Sequence, residues 1–128
     1  MATPPKMNIN GRLANARLSD TSQEALNQVV SSLHNNLKDP EEVSQKDIAD
    51  AKSQLQGSVK DDYVRHEKDK GNRAITDPDG VAGAVTNTVM EDAQGVVIRH
   101  AQKHGITPAQ GSWAHAANKS GGSGGVGR

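Results

Sequence analysis

The hydrophobic residues of this chain fall into short stretches that repeat with the period of an α-helix. The clearest stretch lies within residues 21–38, where Asp39-Pro40 follows and the residue before a proline avoids helical backbone angles. Its members, here called the aliphatic stripe, would share one face of a helix: Leu26, Val29, Val30, Leu33 and Leu37. The pattern predicts a first amphipathic helix over residues 21–38.

A second helix is predicted over residues 44–70. Ser44 and Asp47 have the spacing of a capping box, in which each side chain bonds the backbone N–H of the other residue. Gly57 weakens the hydrophobic face, and the residues after it carry interleaved charges of both signs. Such a charge pattern is typical of a solvated helix surface. We therefore expect an exposed extension that ends near Gly71.

A third helix is predicted over residues 78–104. Asp77 has the character of an N-cap, and Pro78 suits the first helical position. The hydrophobic face of this helix is β-branched and only moderately apolar. Gly83 and Gly95 each cost about 1 kcal/mol relative to alanine in a helix interior. We expect this helix to need packing partners in order to persist.

A short fourth helix is predicted near residues 108–118, because Thr107 can cap it and Pro108 suits its first position. No window alternates apolar and polar residues over the length of a strand. The predicted fold class is all-α, with three main amphipathic helices and a short fourth one.

The domain organisation follows from where the helical patterns begin and end. A polar, flexible lead is expected over residues 1–18, a small helical domain over 19–118, and a Gly/Ser-rich flexible tail over 119–128. Shifting the chain by 38 positions aligns Asp39-Pro40 with Asp77-Pro78 and suggests two repeats. Two helices that each follow an Asp-Pro pair would also align in this way without a duplication.

The composition limits the possible classes of protein. Leu, Ile, Val and Phe together make up 22 of 128 residues, and the 15 basic and 15 acidic residues cancel. So few large apolar residues rule out a large enzyme scaffold and a membrane-spanning chain. The absence of cysteine excludes disulfides and thiolate metal sites, and it fits a cytoplasmic or nuclear location. Zero net charge argues against nucleic-acid binding.

Two histidines on the third predicted helix form the one candidate metal pair. His100 and His104 are four positions apart, as two imidazoles that share a metal ion on one helix face must be. A zincin-type motif would carry Glu after its first histidine, where this chain has Ala101. A third ligand would have to come from elsewhere: His34, His66 or His115. The pattern favours two solvated histidines near a helix end, and no cofactor is predicted.

Other candidate chemistry is sparse. The adjacent carboxylates Glu41/Glu42 and Asp61/Asp62 are interpreted as solvated helix-end charges rather than as acid–base pairs. No glycine-rich loop lies between a strand and a helix, so phosphate binding has no support. The serines show no arrangement with His and Asp at this level. The sequence therefore predicts a protein that is not an enzyme and has no evident small-molecule substrate.

Two short segments stand at the starts of the second and third predicted helices. Residues 43–54 read Val-Ser-Gln-Lys-Asp-Ile-Ala-Asp-Ala-Lys-Ser-Gln, and residues 78–84 read Pro-Asp-Gly-Val-Ala-Gly-Ala. Together they resemble the seed-maturation-protein type of late embryogenesis abundant protein, over about residues 43–93. The charged insertion 60–73 and Asp79 in place of a glycine depart from the family pattern. The matching positions are Asp47, Ala49, Ala51, Gly80, Val81 and Ala82.

The resemblance implies a non-enzymatic stress or desiccation protectant, whose weak helices form more fully as water is withdrawn. It implies no catalytic or cofactor residue. The alternative is a helical interaction or self-assembling protein that binds a protein partner or a second copy through the aliphatic stripe. A third possibility, which the pattern favours over partner binding, is that the stripe packs against the chain's own helices or those of an identical molecule.

Overall fold

A computed structural model describes residues 19–115 and shows three α-helices in sequence, joined by short turns. Helix α1 spans Asp20–Lys38, α2 spans Gln45–Asp69 and α3 spans Pro78–Lys103. A single further turn of helix follows at residues 113–115, and the described range contains no strand. The predicted all-α fold with three main helices and a short fourth one is confirmed.

Each helix begins at a polar side chain that bonds the backbone of the first turn. The Ser19 hydroxyl accepts a hydrogen bond from the Ser22 N–H at the start of α1. The capping box predicted for α2 is present, with Ser44 and Asp47 bonded in both directions. Asp77 caps α3 from the left-handed region, at a φ of 48°, and its carboxylate accepts from the backbone N–H of residue 80. The signals at Ser44, Asp47 and Asp77 explain why the starts of α2 and α3 could be predicted.

The start of α3 explains the glycine at position 80. A Cβ atom on Gly80 would overlap the carboxylate of Asp77, which lies over the first turn of the helix. The glycine therefore leaves room for the cap. Gly57, by contrast, lies in the middle of α2 with open space around the position of a Cβ. α2 continues through Gly57 for three further turns, so this glycine does not end the helix.

The core lies between the three helices and consists largely of small aliphatic side chains. Within residues 19–115, α1 and α2 contribute all four buried leucines, whereas the buried residues of α3 are Ala, Val, Thr and one Met. Burial of an alanine removes much less apolar surface from water than burial of a leucine. α3 is therefore held more weakly than α1 and α2. The buried hydrophobic residues are Leu26, Val29, Val30, Leu33, Leu37, Ile48, Ala51, Leu55, Val59, Ala82, Val89, Met90, Ala93, Val97, Ala101 and Ala114.

The chain after α3 returns to the C-terminal end of α1 and closes over it. The Ala109 N–H bonds the Leu37 carbonyl at 2.8 Å, and the Trp113 indole N–H bonds the Leu33 carbonyl at 2.7 Å. The Trp113 backbone N–H bonds the Asn36 side-chain oxygen at 2.9 Å. We call residues 106–115 the closing segment. It ties the end of the described chain to its first helix.

The short fourth helix begins later than its sequence signals indicate. Thr107 and Pro108 lie in irregular chain rather than at a helix start, because Ala109 is bonded to the end of α1 instead. The cap is Ser112, whose hydroxyl accepts from the His115 N–H at 3.1 Å. Residues 116–118 of the predicted helix lie outside the described range, as do the predicted lead 1–18 and tail 119–128.

The two Asp-Pro pairs that suggested a repeat have different surroundings. Asp39 is the C-cap of α1, and α2 does not begin until Gln45. Asp77 is the N-cap of α3, and Pro78 is its first residue. The 38-residue repeat therefore stays a prediction. None of the helices in the range 19–115 is long and apolar enough to cross a membrane.

Candidate functional site

The aliphatic stripe lies in the chain's own core. All five of its side chains are fully buried between α1 and the other helices. The stripe therefore packs against helices of the same molecule, which is one of the arrangements that the sequence pattern allowed. A partner could reach it only if α1 left that core.

Three histidines from two helices meet at the C-terminal end of the bundle. The ring centroids of His34 on α1 and His100 on α3 are 5.3 Å apart, and the rings meet edge to face. The centroids of His100 and His104 are 4.4 Å apart, one turn apart on α3. We call these three residues the histidine cluster. The sequence paired the two histidines of α3, and the structure adds the third from α1.

The sequence indicated His34 only as one possible third metal ligand. Its position along α1 nevertheless shows that it faces inward. It follows Val30 by four residues and precedes Leu37 by three, which places all three on the inward face of α1. Its side chain is 1% exposed. The sequence does not show that α1 packs against α3, which is what brings this face against His100.

The surroundings of His34 favour its neutral form. Burial lowers the pKa of His34 below its ordinary value of 6.5, and a long hydrogen bond between Nδ1 and the Asn35 side-chain oxygen only partly opposes this effect. The charges of His100 and Lys38 lower the pKa further. The other ring nitrogen, Nε2, is buried without a hydrogen-bond partner in the described part of the chain. A proton on this imidazole would meet no compensating negative charge among these groups.

Metal binding by the histidine cluster finds no support in this arrangement. Residues 19–115 contain no group of three or more His, Asp or Glu side chains placed so that they could hold a metal ion. We therefore do not assign His100 and His104 as metal ligands. His104 is exposed at the C-cap of α3, as expected of a solvated histidine, whereas His100 is partly buried.

A second polar cluster lies at the opposite end of α1 and was not foreseen. Asp62 on α2 is only 3% exposed, and its Oδ2 atom accepts hydrogen bonds from the Ser22 hydroxyl at 2.5 Å and the Ser19 N–H at 3.0 Å. The Ser19 hydroxyl donates to the same oxygen, and Arg65 donates to Oδ1 at 2.6 Å. The interpretation of Asp62 as a solvated charge is therefore wrong. We call this group the Asp62 network.

The electrostatics of Asp62 follow from these contacts. Burial alone would raise the pKa of Asp62, but the hydrogen bonds from Ser22 and Ser19 and the contact with Arg65 together hold that pKa below its ordinary value. The carboxylate is therefore charged at neutral pH and joins the start of α1 to the middle of α2. Its neighbour Asp61 is exposed, as the sequence predicted. The sequence signal for Asp62 was its spacing of three from Val59 on the buried face of α2.

The residues that carry the family resemblance lie at the starts of α2 and α3. Asp47 closes the capping box of α2, and Gly80 makes room for the cap of α3. Of the small residues, Ala51 and Ala82 are buried, Val81 is half-buried and Ala49 is exposed. These positions therefore have a structural explanation in helix initiation and packing.

Comparisons with protein-family models, with curated proteins and with solved structures find no match for this chain.

Proposed function

We propose that this chain is a non-enzymatic stress-protection protein whose helical state is consolidated as water is withdrawn. The observation that carries the proposal is the weak attachment of α3. This helix is held by small side chains, and Gly83 and Gly95 lie in its interior. Glycine lowers helix stability by about 1 kcal/mol relative to alanine, so α3 depends on conditions that favour helix formation.

The hydrophilic composition supports the same proposal. The mean hydropathy of the chain is -0.73, and aromatic residues make up 2% of it. A chain of this kind offers little apolar surface for aggregation. The absence of cysteine agrees with a cytoplasmic or nuclear site of action.

The experiment dries a dehydration-sensitive enzyme with increasing amounts of the full chain and measures the activity that returns on rewetting. We expect graded protection without a fixed stoichiometry, together with a rise in helical circular dichroism on drying. An inert compact protein of equal mass is the reference. Protection no greater than that of the reference would overturn the proposal.

A pair of variants tests whether helix formation in α3 matters. Gln94 is only partly buried in the middle of α3, so Gln94→Pro breaks the helix without removing a core side chain. Gln94→Ala is the matched control, because alanine maintains the helix. We expect the proline variant to protect less and to gain less helix on drying, and the alanine variant to behave as the parent does. Equal protection by both variants would show that protection does not depend on helix formation in α3.

Self-association through the aliphatic stripe is the alternative function. It requires α1 to leave its own core, because each of the five side chains is fully buried. Sedimentation of the undried chain distinguishes the two functions. A stable oligomer would favour self-association, whereas a monomer agrees with stress protection.

A further inference from the structure

The histidine cluster joins α1 and α3. His34 lies within the buried face of α1, and its ring meets His100 at a centroid distance of 5.3 Å. His104 extends the contact along α3 at 4.4 Å from His100. Three imidazole rings are therefore packed against one another.

Positive charges oppose a proton on His34. Those that act on His34 belong to Lys38, one turn further along α1, and to His100 on α3. The closing segment, residues 106–115, passes over this end of α1 and contains no Asp or Glu; its one titratable side chain is that of His115. A proton on His34 would therefore be desolvated and would face other positive charges.

We infer that the histidine cluster is a proton-sensitive latch, which holds α3 and the closing segment against α1 when neutral and releases them when protonated. The latch is independent of the proposed stress-protection function. It acts on the part of the molecule that is most easily released, because the buried residues of α3 are mostly small. The Asp62 network lies at the other end of α1, so the contact between α1 and α2 persists.

The direction of the pH effect follows from proton linkage. The pKa of His34 is lower in the folded chain than its ordinary value of 6.5, so the opened chain binds the proton more tightly. The contribution of His34 to stability is fully present above pH 6.5 and is lost as the pH falls from there towards the pKa of the folded chain. Asp62 stays charged throughout this range because its pKa is held below 3.8.

The first test follows the opening of the full chain in urea between pH 8 and pH 5. Trp113, which is the only tryptophan and bonds the Leu33 carbonyl, reports the closing segment by fluorescence. Each proton taken up raises the opening constant by up to about tenfold per pH unit. We expect His34→Gln to reduce this pH dependence and the matched control His66→Gln, on α2, to retain it. Equal pH dependence in His34→Gln and the parent would overturn the inference.

A second measurement uses the parent chain alone, so it does not depend on the stability of a variant. Proton resonances of the five imidazoles are followed by nuclear magnetic resonance as the pH is lowered. We expect the His34 signal of the closed form to lose intensity without titrating, while signals of the opened form appear together with a change at Trp113. A smooth titration of His34 near pH 6.5 with Trp113 unchanged would refute the latch.

Discussion

Replacement of Asp62 by asparagine tests whether a single buried carboxylate holds the start of α1 against α2. Oδ2 accepts from the Ser22 hydroxyl, the Ser19 hydroxyl and the Ser19 N–H, and Arg65 donates to Oδ1. The Ser58 hydroxyl lies 2.6 Å from that of Ser22 and donates to it, since the Ser22 proton is used by Asp62. Every neighbour of the carboxylate is thus a donor. An amide group at this position would turn its NH2 group towards donors in either orientation.

The magnitude follows from the burial of these groups. Hydrogen bonds to a charged group contribute about 1.5–3 kcal/mol each and are not additive, and a buried donor left without its acceptor carries a desolvation cost. We expect Asp62→Asn to lower the free energy of unfolding by about 2–4 kcal/mol. For a domain of this size, that loss corresponds to a fall in melting temperature of about 10–25 °C.

The assay is urea unfolding monitored by far-ultraviolet circular dichroism at pH 7, with Asp61→Asn as the matched control. Asp61 is exposed and adjacent, so its substitution makes the same change in charge without touching the Asp62 network. We expect the control to change the unfolding free energy by less than about 0.5 kcal/mol. If the two variants lost the same stability, the effect would come from net charge and the reasoning from buried hydrogen bonds would fail.

Three further predictions concern the helices, the closing segment and acid stability. Gly57→Ala should raise the free energy of unfolding by about 1 kcal/mol, because the new Cβ enters open space within α2. Gly80→Ala should gain little stability, because the new Cβ displaces the Asp77 cap. Thermal melts of the two variants compare these effects. Trp113→Phe should lower the free energy of unfolding in urea by about 1–2 kcal/mol and leave the helix content unchanged, since it removes the indole N–H that bonds the Leu33 carbonyl. An unaltered urea midpoint would contradict this role. The contribution of Asp62 to stability should be present above pH 3.8 and be lost as the pH falls below that value. The stability difference between the parent and Asp62→Asn should therefore shrink in acid. A constant difference down to pH 2 would be inconsistent with a lowered pKa of Asp62.

The parts of the fold that could be predicted depend on residues close together in sequence. Ser44 with Asp47, and Asp77 with Pro78, specify helix starts within a few positions, and both were confirmed. The aliphatic stripe predicted α1 for the same reason, since helical periodicity is a local property. The position of the fourth helix was less accurate, because the hydrogen bond from Ala109 to the end of α1 overrides the local cap signal at Thr107.

The candidate sites depend on residues distant in sequence, and here prediction was incomplete. His34 and His100 are 66 positions apart, and only the packing of α1 against α3 brings their rings together. Asp62 was assigned to the surface because charged residues surround it in the sequence. Its actual partners, Ser19 and Ser22, are 43 and 40 positions away. Local patterns show which residues face inward, but they do not show which inward faces meet.

The bond between Trp113 and Leu33 has a consequence for the order in which the chain is made and folds. The two residues are 80 positions apart, so this contact closes a loop that includes all of α2 and α3. During synthesis, α1 and α2 can pair as soon as both have emerged, whereas the end of α1 stays uncovered until residue 113 is available. Contacts of such high sequence separation form late because loop closure must precede them. The C-terminal end of α1 is therefore the last part of that helix to be covered.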